Sequence, residues 1–454
     1  VRAIPTLKIS VSGVRGVVGD SLTPEMVTRF AQAFGTYVGG GPIVIGRDPR
    51  TSGEMVRQAV VAGLVSSGCR VSDLGVCPTP TVQLLVRQRG AAGGVAITAS
   101  HNPPEWNALK FVGRGGLFLD AARGRELLDV YHQGDYTRVA GGQQRAPERI
   151  TDAVDRHVGA VLEGLGPLPA LPRPLRAVVD PGGGAASEAA PRLLAALGVE
   201  AVSIHACMDG RFPRPAEPVP ENLGALGDAV RARAADVGFA TDMDGDRLAL
   251  VDEKGRPLGE ELTLVLAAEP VLAREPGPVV TNIATTDAVE ALAAGYGVAV
   301  HRTRVGEANV AEGMREHGAV IGGEGNGGVI YPRVNFARDS LVAMALVLHR
   351  LAATGRPLSD LAGGYDAFRV AKRQRHCPAD QVRFVLRRAR EAWADRPLDL
   401  RDGVKVRLEE GWFILRGSNT EPSLRVIAEA ATAGAAEALA ERVMADVASW
   451  LGED

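Results

Sequence analysis

Cysteine is sparse in this chain of 454 residues: Cys69, Cys77, Cys207 and Cys377 lie far apart. They match neither a disulfide framework nor a CxxC metal knuckle, so a reducing cytoplasm is the simple reading. Net charge is slight as well, −3 with histidine neutral. That balance gives no sign of a nucleic-acid partner, and an anionic substrate would need a local basic pocket. No run of about 18 uncharged apolar residues occurs, so no membrane span is expected. Val1 to Ser12 lack the long apolar core of a secretory signal. His157, His205, His301 and His349 have no partner at metal-ligand spacing and read as surface or core residues.

What is present is ordinary for a globular protein: 46% apolar and 23% charged residues. The length suits about three or four domains. Short runs rich in Val and Ile alternate with helical patterns. Pro42–Gly46, Arg70–Leu74 and Gly94–Thr98 read as strands, Thr23–Val38 and Ser52–Ser67 as helices. Thr23 caps the first helix, Pro24 takes its first turn, and Val27, Phe30, Phe34 and Tyr37 recur at helical spacing. The alternation returns at Arg176–Val179, Ala201–Ile204, Val237–Ala240, Val279–Asn282, Val298–His301 and Ala319–Gly322. It predicts α/β domains with largely parallel sheets. After Asp366, strands at Val404–Leu408, Trp412–Leu415 and Leu424–Ala428 cluster ahead of a helix that aligns Leu439, Val443, Val447 and Trp450. Gly141–Pro147, Gly164–Pro174 and Asp252–Pro257 read as linkers or turns. The expectation is three mixed, largely parallel α/β domains, at 1–146, 147–253 and 254–364, and a smaller α+β domain at 365–454.

Four loops carry unusual polar chemistry, and one falls in each expected domain. Thr98-Ala99-Ser100-His101-Asn102-Pro103 follows an apolar strand, and Asn102-Pro103 enforces a turn. Ser100 would stand exposed at the sheet edge beside His101, with Lys110 in the same loop region; a serine needs a base, a positive field or a metal to act. Asp242-Met243-Asp244-Gly245-Asp246-Arg247 places three carboxylates at alternate positions, which suits one hard cation. An EF-hand is excluded because Arg247 stands where glycine is required and both flanks read as strands. Without a cation the three aspartates would repel strongly. Gly322 to Gly328 contains five glycines around Glu324 and Asn326, a carboxylate and an amide suited to sugar hydroxyls. Arg416-Gly417-Ser418-Asn419-Thr420-Glu421-Pro422, with Arg425 beyond, gathers the donors of a phosphate cradle. Pro181-Gly182-Gly183-Gly184 lacks dinucleotide-loop spacing and reads as a structural strand-to-helix turn.

A nucleophile, a cation site, hydroxyl partners and a phosphate cradle together describe phosphoryl transfer on a phosphosugar. In order and spacing these loops resemble the α-D-phosphohexomutases, which include phosphoglucomutase, phosphomannomutase and phosphoglucosamine mutase. Ser12–Gly16, Gly46-Arg47-Asp48 with Thr51-Ser52, Phe212-Pro213, Pro218 and Glu221-Asn222-Leu223 extend the match over nearly the whole chain. The resemblance implies four domains around a central cleft and a phosphate carried on Ser100. It implies that Asp242, Asp244 and Asp246 hold Mg2+ together with that phosphoserine. Arg247 would support the loop and the transferring group, Lys110 and His101 would move protons, and Arg15 would stabilise charge. Glu324 and Asn326 would read the sugar, and Arg416, Ser418, Asn419, Thr420 and Arg425 would clamp the other phosphate. It also implies hexose 1,6-bisphosphate as activator and a monomer or homodimer. Gly-Glu-Gly-Asn-Gly-Gly resembles phosphoglucosamine or mixed-specificity members, whereas Arg-Gly-Ser-Asn-Thr-Glu-Pro leans toward phosphomannomutases. A metal-dependent sugar phosphatase and a non-catalytic sugar-phosphate sensor are the competing readings.

Overall fold

The structure is a computed structural model, and it describes residues 7–10, 13–418 and 423–452. Four sheets follow one another along the chain. The first orders its strands Lys8–Ser10, Gly13–Val17, Trp106–Gly113, Gly93–Ile97, Gly41–Arg47, Cys69–Val76 and Glu148–Arg149. The second runs Leu248–Asp252, Val237–Thr241, Arg176–Asp180 and Glu200–Ser203, and the third Val300–Thr303, Val279–Asn282, Ile321–Glu324 and Gly328–Ile330. Each of these three mixes parallel pairs with an antiparallel hairpin. The fourth sheet, Arg369–His376, Ser423–Ala430, Gly411–Gly417, Val404–Arg407 and Leu398–Asp399, is antiparallel throughout. The helices Ala379–Ala392 and Ala433–Trp450 pack on it. No described helix is long and apolar enough to cross a membrane.

Local chemistry explains the elements read from sequence. Thr23 caps the helix Pro24–Tyr37 by accepting from the Met26 N–H, and Val27, Phe30 and Phe34 are buried along one face. Leu439, Val443 and Val447 do the same for the last helix. Gly182 and Gly183 have φ of 60° and 71° in the turn that leads to the helix Ala186–Ala196, which makes that glycine run structural. His157 is buried between the Thr81 hydroxyl and the Asp339 carboxylate. All four cysteines are free thiols. Two expectations change. Lys110 lies within the strand Trp106–Gly113, opposite Ala96, and not in a loop. Ser100 is buried and not exposed at the sheet edge, and Arg15 reaches the site from within the strand Gly13–Val17. In addition, the first sheet reaches past the linker at Gly141–Pro147, because Glu148–Arg149 pairs with Cys69–Val76.

The cores divide unequally. One apolar cluster runs from Val44 to Ala362 and welds parts of all three α/β units together. Its centre is the helix Ser340–Thr354, buried on every side from Ser340 to Ala352. The fourth unit has its own cluster, built on Val404, Phe413, Val426 and Val443. It meets the third unit through a small apolar contact of Trp412 and Ile414 against Ile283 and Ala284. Polar ties surround that contact: Lys405 Nζ donates to the Ile283 carbonyl at 2.9 Å, and Asp402 accepts from the Val305 N–H at 2.9 Å.

Candidate active site

The loops singled out by their chemistry share one structural device. Each joins two antiparallel strands: Gly93–Ile97 to Trp106–Gly113, Val237–Thr241 to Leu248–Asp252, Ile321–Glu324 to Gly328–Ile330, and Gly411–Gly417 to Ser423–Ala430. In the first three units the incoming strand also pairs in parallel with a neighbour, so the loop lies at a carboxyl end of the parallel strands. That is where open α/β sheets present ligand-binding side chains.

Ser100 has φ of 51°, in the left-handed region that a serine adopts at a cost. Arg50 holds it there. This fully buried guanidinium donates to the carbonyls of Ser100 (2.6 Å), Asn102 (2.8 Å), Pro103 (2.5 Å) and Trp106 (3.1 Å). Its Nε pairs with Asp48 at 2.9 Å, and Asp48 also accepts from Thr98 at 2.6 Å. The sequence reading passed over Arg50. Its one local signal is the charged Arg47-Asp48-Pro49-Arg50 run after an apolar strand. Arg50→Met strands Asp48 and four carbonyls, so we expect a stability loss of about 3 kcal/mol. Displacing the serine loop by even about 1 Å should cost about 10²-fold in turnover. Denaturant unfolding and an activity assay on the same preparation check both.

Ser100 Oγ donates to Asp242 Oδ2 at 2.8 Å, and His101 Nδ1 stands 3.4 Å from the same hydroxyl. Burial, and then the charges of Arg247, Arg15 and Arg425, hold the His101 ring well below its usual pKa, so it is neutral. Arg15 reaches the loop from the neighbouring strand and donates to Asn102 Oδ1 at 2.5 Å.

Asp242, Asp244 and Asp246 are all buried, with one oxygen of each within 4.8 Å of the others. Asp242 Oδ1 accepts from the Asp246 and Arg247 N–H groups at 3.2 Å. Asp244 Oδ2 accepts from Lys110 Nζ at 2.6 Å and from Thr79 Oγ1 at 2.8 Å. Asp246 Oδ2 accepts from Arg338 Nη2 at 2.6 Å. The remaining oxygens, Asp244 Oδ1 and Asp246 Oδ1, are buried and accept no hydrogen bond. Burial, and then the charges of Asp246 and Asp244, push the Asp242 carboxyl well above the usual range. Burial also opposes ionisation of Asp244, but Lys110 overrides it and holds that carboxyl low. Orphaned carboxylate oxygens in a dry, repulsive cluster fit a hard divalent cation such as Mg2+.

Glu324 ends its strand with both oxygens engaged. Asn282 Nδ2 (2.8 Å) and the Gly306 N–H (2.7 Å) hold Oε1, and Arg338 Nη1 (2.7 Å) holds Oε2. Burial opposes its charge, but Arg338 more than compensates and keeps its pKa low. Asn326 turns back so that its Oδ1 accepts from the Gly328 N–H at 3.1 Å. A Cβ at 325 would press on the Glu261 carboxylate, which Lys372 and the Thr286 N–H hold in place, so the close approach favours glycine there. Neither Arg338 nor Glu261 was singled out by the sequence reading. Nor was Lys372, which reaches from the fourth unit to Glu260, Glu261 and the Gly325 carbonyl.

Arg416 and Arg425 face each other across the fourth hairpin, in register. Directly opposed arginines repel unless an anion lies between them. Arg416 also meets Asp402 at 3.4 Å. Asn419 and Thr420 lie outside the described residues. A cavity of about 480 Å³ is lined by His101, Arg247, Glu324, Asn326, Arg416, Ser418 and Arg425. A second, of about 710 Å³, holds Ser100 and Lys110 and shares Arg15, His101, Arg247 and Arg338 with the first. The serine, the Glu324 loop and the arginine pair thus line two adjoining chambers.

Comparison with known proteins agrees with this arrangement. Models of the phosphoglucomutase/phosphomannomutase α/β/α domains I, II and III match residues 6–138, 167–255 and 259–368, and that of the C-terminal domain matches 368–446. A probable phosphoglucosamine mutase of Methanopyrus kandleri is 38% identical over 435 residues, covering 92% of this chain and 93% of the relative. A phosphoglucomutase/phosphomannomutase of Thermococcus kodakarensis is 36% identical over 426 residues, with the same shares of the two chains. The crystal structure of a family protein from Burkholderia thailandensis superposes with a TM-score of 0.84 at 28% identity, covering 97% of this chain and 96% of that one. With all four domains matched in order, the chain belongs to the phosphoglucomutase/phosphomannomutase family of α-D-phosphohexomutases.

Proposed function

We propose that this phosphohexomutase interconverts glucosamine 1-phosphate and glucosamine 6-phosphate through a phosphate carried on Ser100. The observation that carries the serine's role is its hydroxyl, 2.8 Å from Asp242 at the rim of the aspartate cluster. Asp242, Asp244 and Asp246 would hold Mg2+, which supplies positive charge to the phosphoryl oxygens as negative charge spreads over them. The hexose hydroxyl takes the phosphoryl group from Ser100: its O–P bond forms as the seryl O–P bond breaks, giving a bisphosphate. Neutral His101, 3.4 Å from the serine oxygen, and Lys110 carry the proton between the two oxygens. Arg15 and Arg247 face the reacting group. Glu324 and Asn326 receive sugar hydroxyls, and Arg416, Ser418, Asn419, Thr420 and Arg425 clamp the idle phosphate. The bisphosphate then turns end for end and returns its other phosphate to Ser100, so hexose 1,6-bisphosphate serves as activator.

The amino sugar is favoured by the Gly-Glu-Gly-Asn-Gly-Gly loop and by the Methanopyrus relative's name. A second reading, phosphomannomutase/phosphoglucomutase, is favoured by the Arg-Gly-Ser-Asn-Thr-Glu-Pro loop and by the Thermococcus relative's name. Turnover of glucosamine, glucose and mannose 6-phosphates, each with its bisphosphate present, decides between them. The expected result is a kcat/KM for the amino sugar about tenfold or more above the others. A preference for mannose or glucose phosphate selects the second reading, and release of free phosphate without isomerised sugar selects a phosphatase.

A further inference from the structure

Two of the three cluster carboxylates are gripped in the same way. Each has its Oδ2 tied to a cationic side chain from another segment, Asp244 to Lys110 and Asp246 to Arg338, and each leaves Oδ1 buried without a hydrogen bond. Arg247 Nε stands 3.7 Å from Asp246 Oδ1, too far for a hydrogen bond. Asp242 likewise has Oδ1 occupied, by two backbone N–H groups, and offers Oδ2 toward Ser100. The set therefore presents one oxygen per carboxylate.

We propose that Arg338 is a positioning residue for the cation: by occupying Asp246 Oδ2 it keeps that carboxylate monodentate and so favours a small octahedral ion over a larger one. This inference rests on the metal reading of the cluster. Magnesium demands near-octahedral geometry with single oxygens, whereas calcium accepts more ligands and bidentate carboxylates. An Asp246 free to turn both oxygens inward would suit calcium better. Arg338 cannot move away easily. Its other nitrogens bind Glu324 Oε2 at 2.7 Å and Glu307 Oε2 at 3.1 Å, and Glu307 is fixed in turn by Gln83 at 2.7 Å. A planar fork held at three carboxylates is a fixed stop, which a flexible ammonium would reproduce only in part.

The test measures Mn2+ binding by electron paramagnetic resonance, with Mg2+ and Ca2+ as competitors. Arg338→Gln should raise the affinity for Ca2+ relative to Mg2+ by about tenfold, and Arg338→Lys should raise it by less, about threefold. An unchanged ratio in a folded Arg338→Gln protein overturns the proposal. Infrared carboxylate bands of the protein with Arg338 intact, loaded with Mg2+ and with Ca2+, give a second reading that does not depend on an Arg338 variant. Single-oxygen coordination of Asp246, identified by its loss in Asp246→Asn, supports the proposal, and a bidentate band from Asp246 overturns it. Wild-type protein that binds none of the three ions overturns the metal reading itself, an outcome distinct from an unchanged ratio.

Discussion

Ser100→Ala should lower mutase turnover by about 10³-fold or more and abolish phosphate transfer to the protein from a labelled hexose bisphosphate. The substitution removes one oxygen from a loop whose shape is set elsewhere. Arg50 holds the carbonyls of Ser100 and of the residues after it, and the Ser100 N–H donates to Thr98 Oγ1 at 2.9 Å; none of these bonds uses the serine side chain. Alanine and serine meet a similar penalty at φ of 51°, so the lost bond to Asp242 is the main change, about 1 kcal/mol. Retained thermal stability with lost labelling separates a chemical role from a structural one. Full activity in Ser100→Ala would end the covalent mechanism.

Asp242→Asn should separate stability from activity. Asn can keep the same geometry: its Oδ1 still accepts the Asp246 and Arg247 N–H groups, and its amide can donate to the Ser100 oxygen. What disappears is an acid whose ionised form burial and two neighbouring aspartates disfavour. In a chelator, the variant should therefore melt higher than the wild type by a few degrees. The wild type should recover the difference when Mg2+ is added, gaining about 2.7 kcal/mol at a hundredfold excess over its dissociation constant. The variant should gain little from Mg2+ and lose about 10²-fold or more in turnover. Calorimetric scans with and without Mg2+ check the pair; a variant that melts lower in chelator would show that the aspartates do not repel.

The sequence disclosed the chemistry of the site better than its wiring. Ser100, the three aspartates and the arginine loop sit beside their own turn signals, so a short window reveals them. Arg50 and Arg338 act on partners up to 92 residues away, and no short window contains both ends of such bonds. Lys110 reads as part of a loop because Asn107 and Lys110 interrupt the apolar run of Trp106–Gly113, although that strand is buried on both faces. Arg369–His376 was passed over because five of its eight residues are Arg, Lys or His, the charged composition of an edge strand. The first-domain boundary at 146 missed the pairing of Glu148–Arg149, because a two-residue strand carries no pattern.

The separate core of the C-terminal unit bears on turnover. In the mechanism proposed above, the bisphosphate must rotate end for end, which needs space that a tightly held phosphate loop denies it. On the proposed mechanism, freeing it would require only parting Trp412 and Ile414 from Ile283 and Ala284 and breaking a rim of polar ties, and not disturbing the shared core of the three α/β units. The penalty for freeing the intermediate is thus uncoupled from the global unfolding free energy. Evolution could tune how long the bisphosphate is retained by altering that seam alone.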